Sequence, residues 1–198
     1  MVNGGASSAA LPAGVTLTGS TLSVDPTNAA YNSLAFGQST TIVVSYNVVD
    51  AQGASVAQTQ TITVTGTNDA PVVANALTST VAEGTAGYNL DLLVGASDVD
   101  SGETATLSIA NVTYAVDGGS ASGTAPAGVS LSGSTLTVDP TNFNYLAAGE
   151  QVVITVSYDV SDGTTTTANT ATITITGAND APVVTAITET KTENDASH

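Results

Sequence analysis

The chain repeats itself at long range. PAGVTLTGSTLSVDPTN at residues 12–28 returns as PAGVSLSGSTLTVDPTN at 126–142, IVVSYNVVDAQG from Ile42 returns as ITVSYDVSDG from Ile154, and TVTGTNDAPVV from Thr63 returns as TITGANDAPVV from Thr174. Copies this similar and this far apart make one repeat the folding unit, used more than once. The spacing tightens slightly along the chain, which puts small length changes near residues 31–37 and 51–57, where surface connections tolerate them. With N-D-A-P at each handover, residues 1–70 read as the C-terminal portion of one module. Residues 71–181 then form a complete module, and 182–198 the linker and first strand of a third.

Within the complete module, Val-, Ile- and Thr-rich runs of alternating character are separated by Gly, Asp, Asn and Pro. They predict strands at about 72–81, 87–94, 104–115, 128–132, 134–138, 151–160 and 168–176. The partial first module adds strands near 14–18, 20–24, 40–49 and 57–66. Short, closely spaced strands without helical periodicity predict an all-β fold. Its form is tandem immunoglobulin-like or cadherin-like seven-strand Greek-key β-sandwich modules. Tyr46 and Tyr158, each near the end of a long strand, fit half-buried bridges between the two layers.

The charge balance narrows the partners. Seventeen acidic residues face one Lys or Arg, for a formal net charge of −16. Such a polyanion repels nucleic acid and anionic lipid, and no run of apolar residues is long enough to span a membrane as a helix. The absence of Cys removes disulfides as staples, leaving metal ions to reinforce small modules.

The carboxylates gather where modules meet. Asn68 and Asp69 lie in the first linker, and Asn179 and Asp180 in the second. Asp98, Asp100 and Glu103 share the loop between the second and third strands of the complete module, Asp162 ends its sixth strand, and Asp139 and the matching Asp25 end the fifth. Sandwich topology brings Asp98, Asp100 and Asp162 to the incoming Asn68-Asp69. At the other end, Glu83 and Asp139 are expected to face Asn179 and Asp180. Oxygen-rich sites without thiol or imidazole suit calcium, which takes six to eight oxygens, rather than transition metals, and magnesium demands a tighter octahedral cage.

GTNDAPVV at 66–73, SDVDSGET at 97–104 and VSYDVSDG at 156–163 resemble the VCBS and bacterial cadherin-like repeats of giant RTX-type surface adhesins. The resemblance implies an extracellular protein of the bacterial cell surface whose repeated modules act as a stalk. Calcium would stiffen the linkers in support of adhesion or biofilm formation. It also implies that Asn68, Asp69, Asp98, Asp100 and Asp162 match the cadherin calcium pattern. The fifth-strand end departs from that pattern, with VDP in place of an acidic cluster.

An enzyme is disfavoured by inventory: no Cys, no Arg, a single terminal His, and no strained nucleophile motif. A ligand-binding tip would carry an insertion that breaks the repeat, and none does. The expected partners are adjacent modules of the same polypeptide. The alternative is a head-to-tail filament of like chains that exchange strands between incomplete modules.

Overall fold

A computed structural model of the chain describes residues 10–191 and 193. Residues 1–9, 192 and 194–198, which include His198 and parts of the two expected partial modules, lie outside the described residues. The first portion contributes two antiparallel hairpins, β1 (Val15–Thr18) with β2 (Thr21–Val24) and β3 (Ser39–Val49) with β4 (Ser55–Thr65).

Seven further strands follow: β5 (Leu77–Ala82), β6 (Tyr88–Asp91), β7 (Ser108–Val116), β8 (Val129–Ser132), β9 (Thr135–Val138), β10 (Gln151–Ser161) and β11 (Thr166–Thr176). One sheet runs β5-β11-β10-β7 and the other β6-β9-β8. β5 lies parallel to β11, Leu77 opposite Ala171 and Ala82 opposite Thr176, while the other pairs are antiparallel. Two sheets joined in this order form an immunoglobulin-like sandwich.

The two-residue alternation places Val152, Ile154, Val156, Tyr158 and Val160 of β10, and Ala171, Ile173 and Ile175 of β11, inside. Leu92, Leu136, Val138 and Phe143 meet them from the opposite layer. Each buried Val or Ile stabilises the fold by about 1.5–3 kcal/mol, more than a typical net hydrogen bond, so burial fixes the register. Tyr158 is fully rather than half buried, and its hydroxyl donates to the Leu92 carbonyl at 3.0 Å. Tyr46, its counterpart in β3, is half exposed, because among the described residues β3 and β4 pair only with each other.

Two expected strand starts move C-terminally, away from the first linker. The strand expected from 72 begins at Leu77, and Val72 instead forms an isolated antiparallel bridge with Ser97. The strand expected from 104 begins at Ser108, because Glu103–Thr106 form a short 3-10 turn. Residues 182–191 form no strand, and Val183, Val184 and Ile187 are exposed with no neighbouring strand to pair with among the described residues.

Both linkers leave the preceding module under a glycine. A Cβ on Gly66 would collide with the carbonyl oxygens of Leu34 and Ala35, and one on Gly177 with that of Ala147. Their amides donate to Gln38 and Glu150 at 2.8 Å each.

Candidate metal centre

The incoming linker, the β6–β7 loop and the β10–β11 turn meet at the leading pole of the complete module. Backbone pairing sets the linker there: Val72 and Ser97 exchange N–H···O bonds of 2.7 and 2.9 Å, and the Thr167 hydroxyl donates to the Pro71 carbonyl at 2.6 Å. The linker is thereby tied to the β6–β7 loop and to the start of β11.

The β6–β7 loop is closed by Thr104. Its hydroxyl accepts from the Asp98 amide at 2.8 Å and donates to the Asp98 carbonyl at 2.9 Å. Gly102, at φ 91° and ψ −11°, makes a left-handed turn that leads into Glu103. Inside the loop, the Asp100 amide donates to Asp98 Oδ1 at 2.9 Å, and the linker's Asp69 amide donates to Asp100 Oδ2 at 2.9 Å.

The β10–β11 turn completes the site. Asp162 Oδ1 accepts from the amides of Thr164 and Thr165 at 2.6 Å each, and Oδ2 accepts from the Thr165 hydroxyl at 2.7 Å and from Asn68 Nδ2 at 2.9 Å. Burial works to raise the Asp162 pKa. The hydrogen bonds from Asn68, Thr165 and Thr164 outweigh it and hold this carboxyl well below the usual carboxylate range.

Four oxygens remain. Asn68 Oδ1, Asp98 Oδ2, Asp100 Oδ1 and Glu103 Oε2 are all buried, and none has a hydrogen-bond partner among the described residues. Asp100 is only 2 % exposed. Carboxylate oxygens of Asp98, Glu103 and Asp162 lie within 4.8 Å of one another. Burial, followed by the negative charges of Asp100, Asp98 and Asp162, raises the Glu103 pKa. Leaving a buried acceptor unpaired costs about 1–3 kcal/mol, and more when it is charged. Four such acceptors and no donor form a cradle that suits a cation.

The donor set fits calcium. Asn68, Asp98, Asp100, Glu103 and Asp162 offer oxygen only, from three chain segments, with room in calcium's variable coordination for water. Among the described residues no basic group serves instead: the one Lys, Lys191, pairs with Glu189 at 3.3 Å on the exposed tail.

At the trailing pole the expected residues have protein partners. Glu83 is buried, and its carboxylate accepts from the Ala178 amide at 2.6 Å and the Leu146 amide at 3.3 Å, so it anchors the departing linker. Asp139 Oδ1 accepts from the Thr141 amide and hydroxyl at 3.1 and 2.6 Å, starting a 3-10 turn at Pro140–Phe143. Asp25 does the same for Thr27 at 2.9 and 2.6 Å, and the Thr27 hydroxyl, then its amide, lowers the Asp25 pKa. Asn179 and Asp180 are exposed. The structure thus brings Asn68, Asp69, Asp98, Asp100, Glu103 and Asp162 together and does not gather Glu83, Asp139, Asn179 and Asp180 into a comparable cluster. Two further residues contribute that the motifs do not single out: Thr104, which holds the Asp98 backbone, and Thr165, which holds the Asp162 carboxylate. Their signal is a Thr a few residues after an Asp in a glycine-containing turn.

A family model for the bacterial Ig domain matches residues 68–176. No curated protein matches the chain. Among solved structures, the endo-fucoidan hydrolase MfFcnA4 of glycoside hydrolase family 107 is similar at 17% identity and a TM-score of 0.32, over 86% of this chain and 23% of that one. The endo-fucoidan hydrolase MfFcnA9 of the same family is similar at 20% identity and a TM-score of 0.28, over 88% of this chain and 28% of that one. The chain spans about a quarter of each hydrolase, and scores this low carry no argument about activity.

Proposed function

Because this chain belongs to the bacterial Ig domain family, we propose that it is a spacer: a stalk segment of an extracellular bacterial surface protein, stiffened by calcium at the junctions between modules. In this reading 1–70 is the C-terminal portion of one module, 71–181 a complete module and 182–198 the start of a following one. The finer assignment is to the VCBS and cadherin-like repeats of RTX-type adhesins, and it rests on the linker and loop motifs. The observation that carries the calcium reading is the set of four partnerless buried oxygens on Asn68, Asp98, Asp100 and Glu103.

The mechanism is mechanical. Asn68 belongs to the linker, Asp98, Asp100 and Glu103 to one loop, and Asp162 to another, so a cation held by all of them ties the linker to the module that follows. Without a cation, the carboxylates repel one another and loosen the tie. Millimolar extracellular calcium suffices for a site of modest affinity.

Differential scanning calorimetry tests this. With calcium at ten to a hundred times Kd, linkage stabilises the fold by roughly 1–3 kcal/mol, a rise in Tm of roughly 5–15 °C. Asp100→Asn should abolish that rise while leaving the chelator-treated Tm unchanged or higher. Equal melting of the wild-type chain in calcium and in chelator would sink the reading.

The filament reading draws support from the exposure of Tyr46 and Val48 on β3, whose counterparts Tyr158 and Val160 are buried. A concentration-independent monomer in sedimentation would remove it.

A further inference from the structure

At the leading junction the complete module also reaches past the linker: the Ser101 amide, in the acidic β6–β7 loop, donates to the Ser33 carbonyl of the preceding module at 3.1 Å. Ser33 sits in a turn that the trailing pole rebuilds. The Leu34 amide donates to Tyr31 at 3.1 Å, and that of Leu146 to Phe143 at 3.0 Å. Gln38 donates to Ala35 and Glu150 to Ala147, both at 2.9 Å, and the two linker glycines close the turns identically. In this shared backbone the residue matching Ser33 is Tyr145.

We propose that the Tyr145 turn is a docking seat for the acidic loop of a following module of the same kind. This inference rests on the spacer reading. Three observations support it. The seat's geometry is the one that receives Ser101 at the leading junction. The outgoing linker repeats one contact of the incoming one, with the Asn179 side-chain amide donating to the Asp180 carbonyl as Asn68 does to that of Asp69. Tyr145 itself is 71% exposed, its ring centroid 6.3 Å from that of buried Phe143, a large amphipathic surface standing where the leading junction needs only a serine. The contact made through the Tyr145 carbonyl would match that of Ser33, and the phenol ring would add buried area. Successive junctions would then share one geometry but differ in strength.

The test uses the full chain lengthened by repeating residues 71–181 after Ala181, which preserves the N-D-A-P phase. Because the chain has no Cys, Tyr145→Cys can be placed in the first copy, at the new junction, or in the second copy, which has no complete module after it. Reaction of the thiol with a soluble disulfide reagent is timed in millimolar calcium and in chelator, with Tm recorded alongside. The first-copy thiol is expected to react roughly tenfold slower than the second-copy thiol in calcium, as a docked surface opens only transiently. Equal rates in calcium would overturn the seat, even if calcium still raises Tm. Protection that persists while calcium leaves Tm unchanged would uphold the seat and overturn the calcium reading instead.

Discussion

Asp100 and Glu83 are both buried carboxylates near a linker, and their partners separate their roles. One oxygen of Asp100 holds the Asp69 amide and the other is unpartnered, whereas Glu83 has backbone N–H partners at both oxygens. Glu83 therefore acts without a cation. Glu83→Gln turns one acceptor into a donor facing a buried N–H and should destabilise the chain by about 1–3 kcal/mol, equally in calcium and in chelator. A loss seen only in calcium would instead make Glu83 a metal ligand. Proton linkage gives a second residue-scale prediction, for the calcium-free chain. The raised pKa of Glu103 contributes stability that is present below its ordinary value of 4.5 and lost as pH rises through the folded value. The lowered pKa of Asp162 contributes stability that is present above 3.8 and lost as pH falls through its folded value. In chelator, Tm should rise as pH falls from 7 toward 4.5 and turn down in stronger acid. Millimolar calcium should flatten the rise, because the cation then fills the role of the proton.

Among the elements, the strands of β10 and β11 were legible because their alternation of Val, Ile and Tyr with Thr and Ser matches the pleat. The start of β7 was not, since Thr104 and Thr106 have the composition of a strand. Tertiary demands decide otherwise: the Thr104 hydroxyl closes the loop on Asp98, and Gly102 supplies the left-handed turn before Glu103. Asp98, Asp100 and Asp162 were readable as neighbours of the linker from strand order alone. The Thr27 and Thr141 amides that engage Asp25 and Asp139 were not, because an Asp before Pro-Thr reads the same whether it caps a turn or faces a cation. Thr104→Val keeps the shape of the side chain and removes both loop-closing bonds. It should weaken calcium binding by about 1–2 kcal/mol, roughly tenfold in Kd, measured by isothermal titration calorimetry. Because the loop is solvent-edged, Tm in chelator should move little. Unchanged calcium affinity would remove Thr104 from the positioning of Asp98.

At the scale of the whole molecule, the repeat made the fold readable before any strand was assigned, and the two copies explain each other. Tyr158 is buried where Tyr46 is not, since β5, β6 and β7 complete the second sandwich and have no described counterparts beside β3 and β4. The charge of −16 belongs to this scale too, because self-repulsion along such a chain favours loose junctions unless cations neutralise them. The central claim is that calcium turns a flexible junction into a stiff one. Small-angle X-ray scattering at physiological salt, where general repulsion is screened beyond about 8 Å, tests it most directly. A calcium-stiffened junction gives a single extended distance distribution in millimolar calcium and a broader one of mixed geometries in chelator, with Asp98→Ala/Asp100→Ala resembling the chelated form in both. Superimposable curves for the wild-type chain under the two conditions would contradict it.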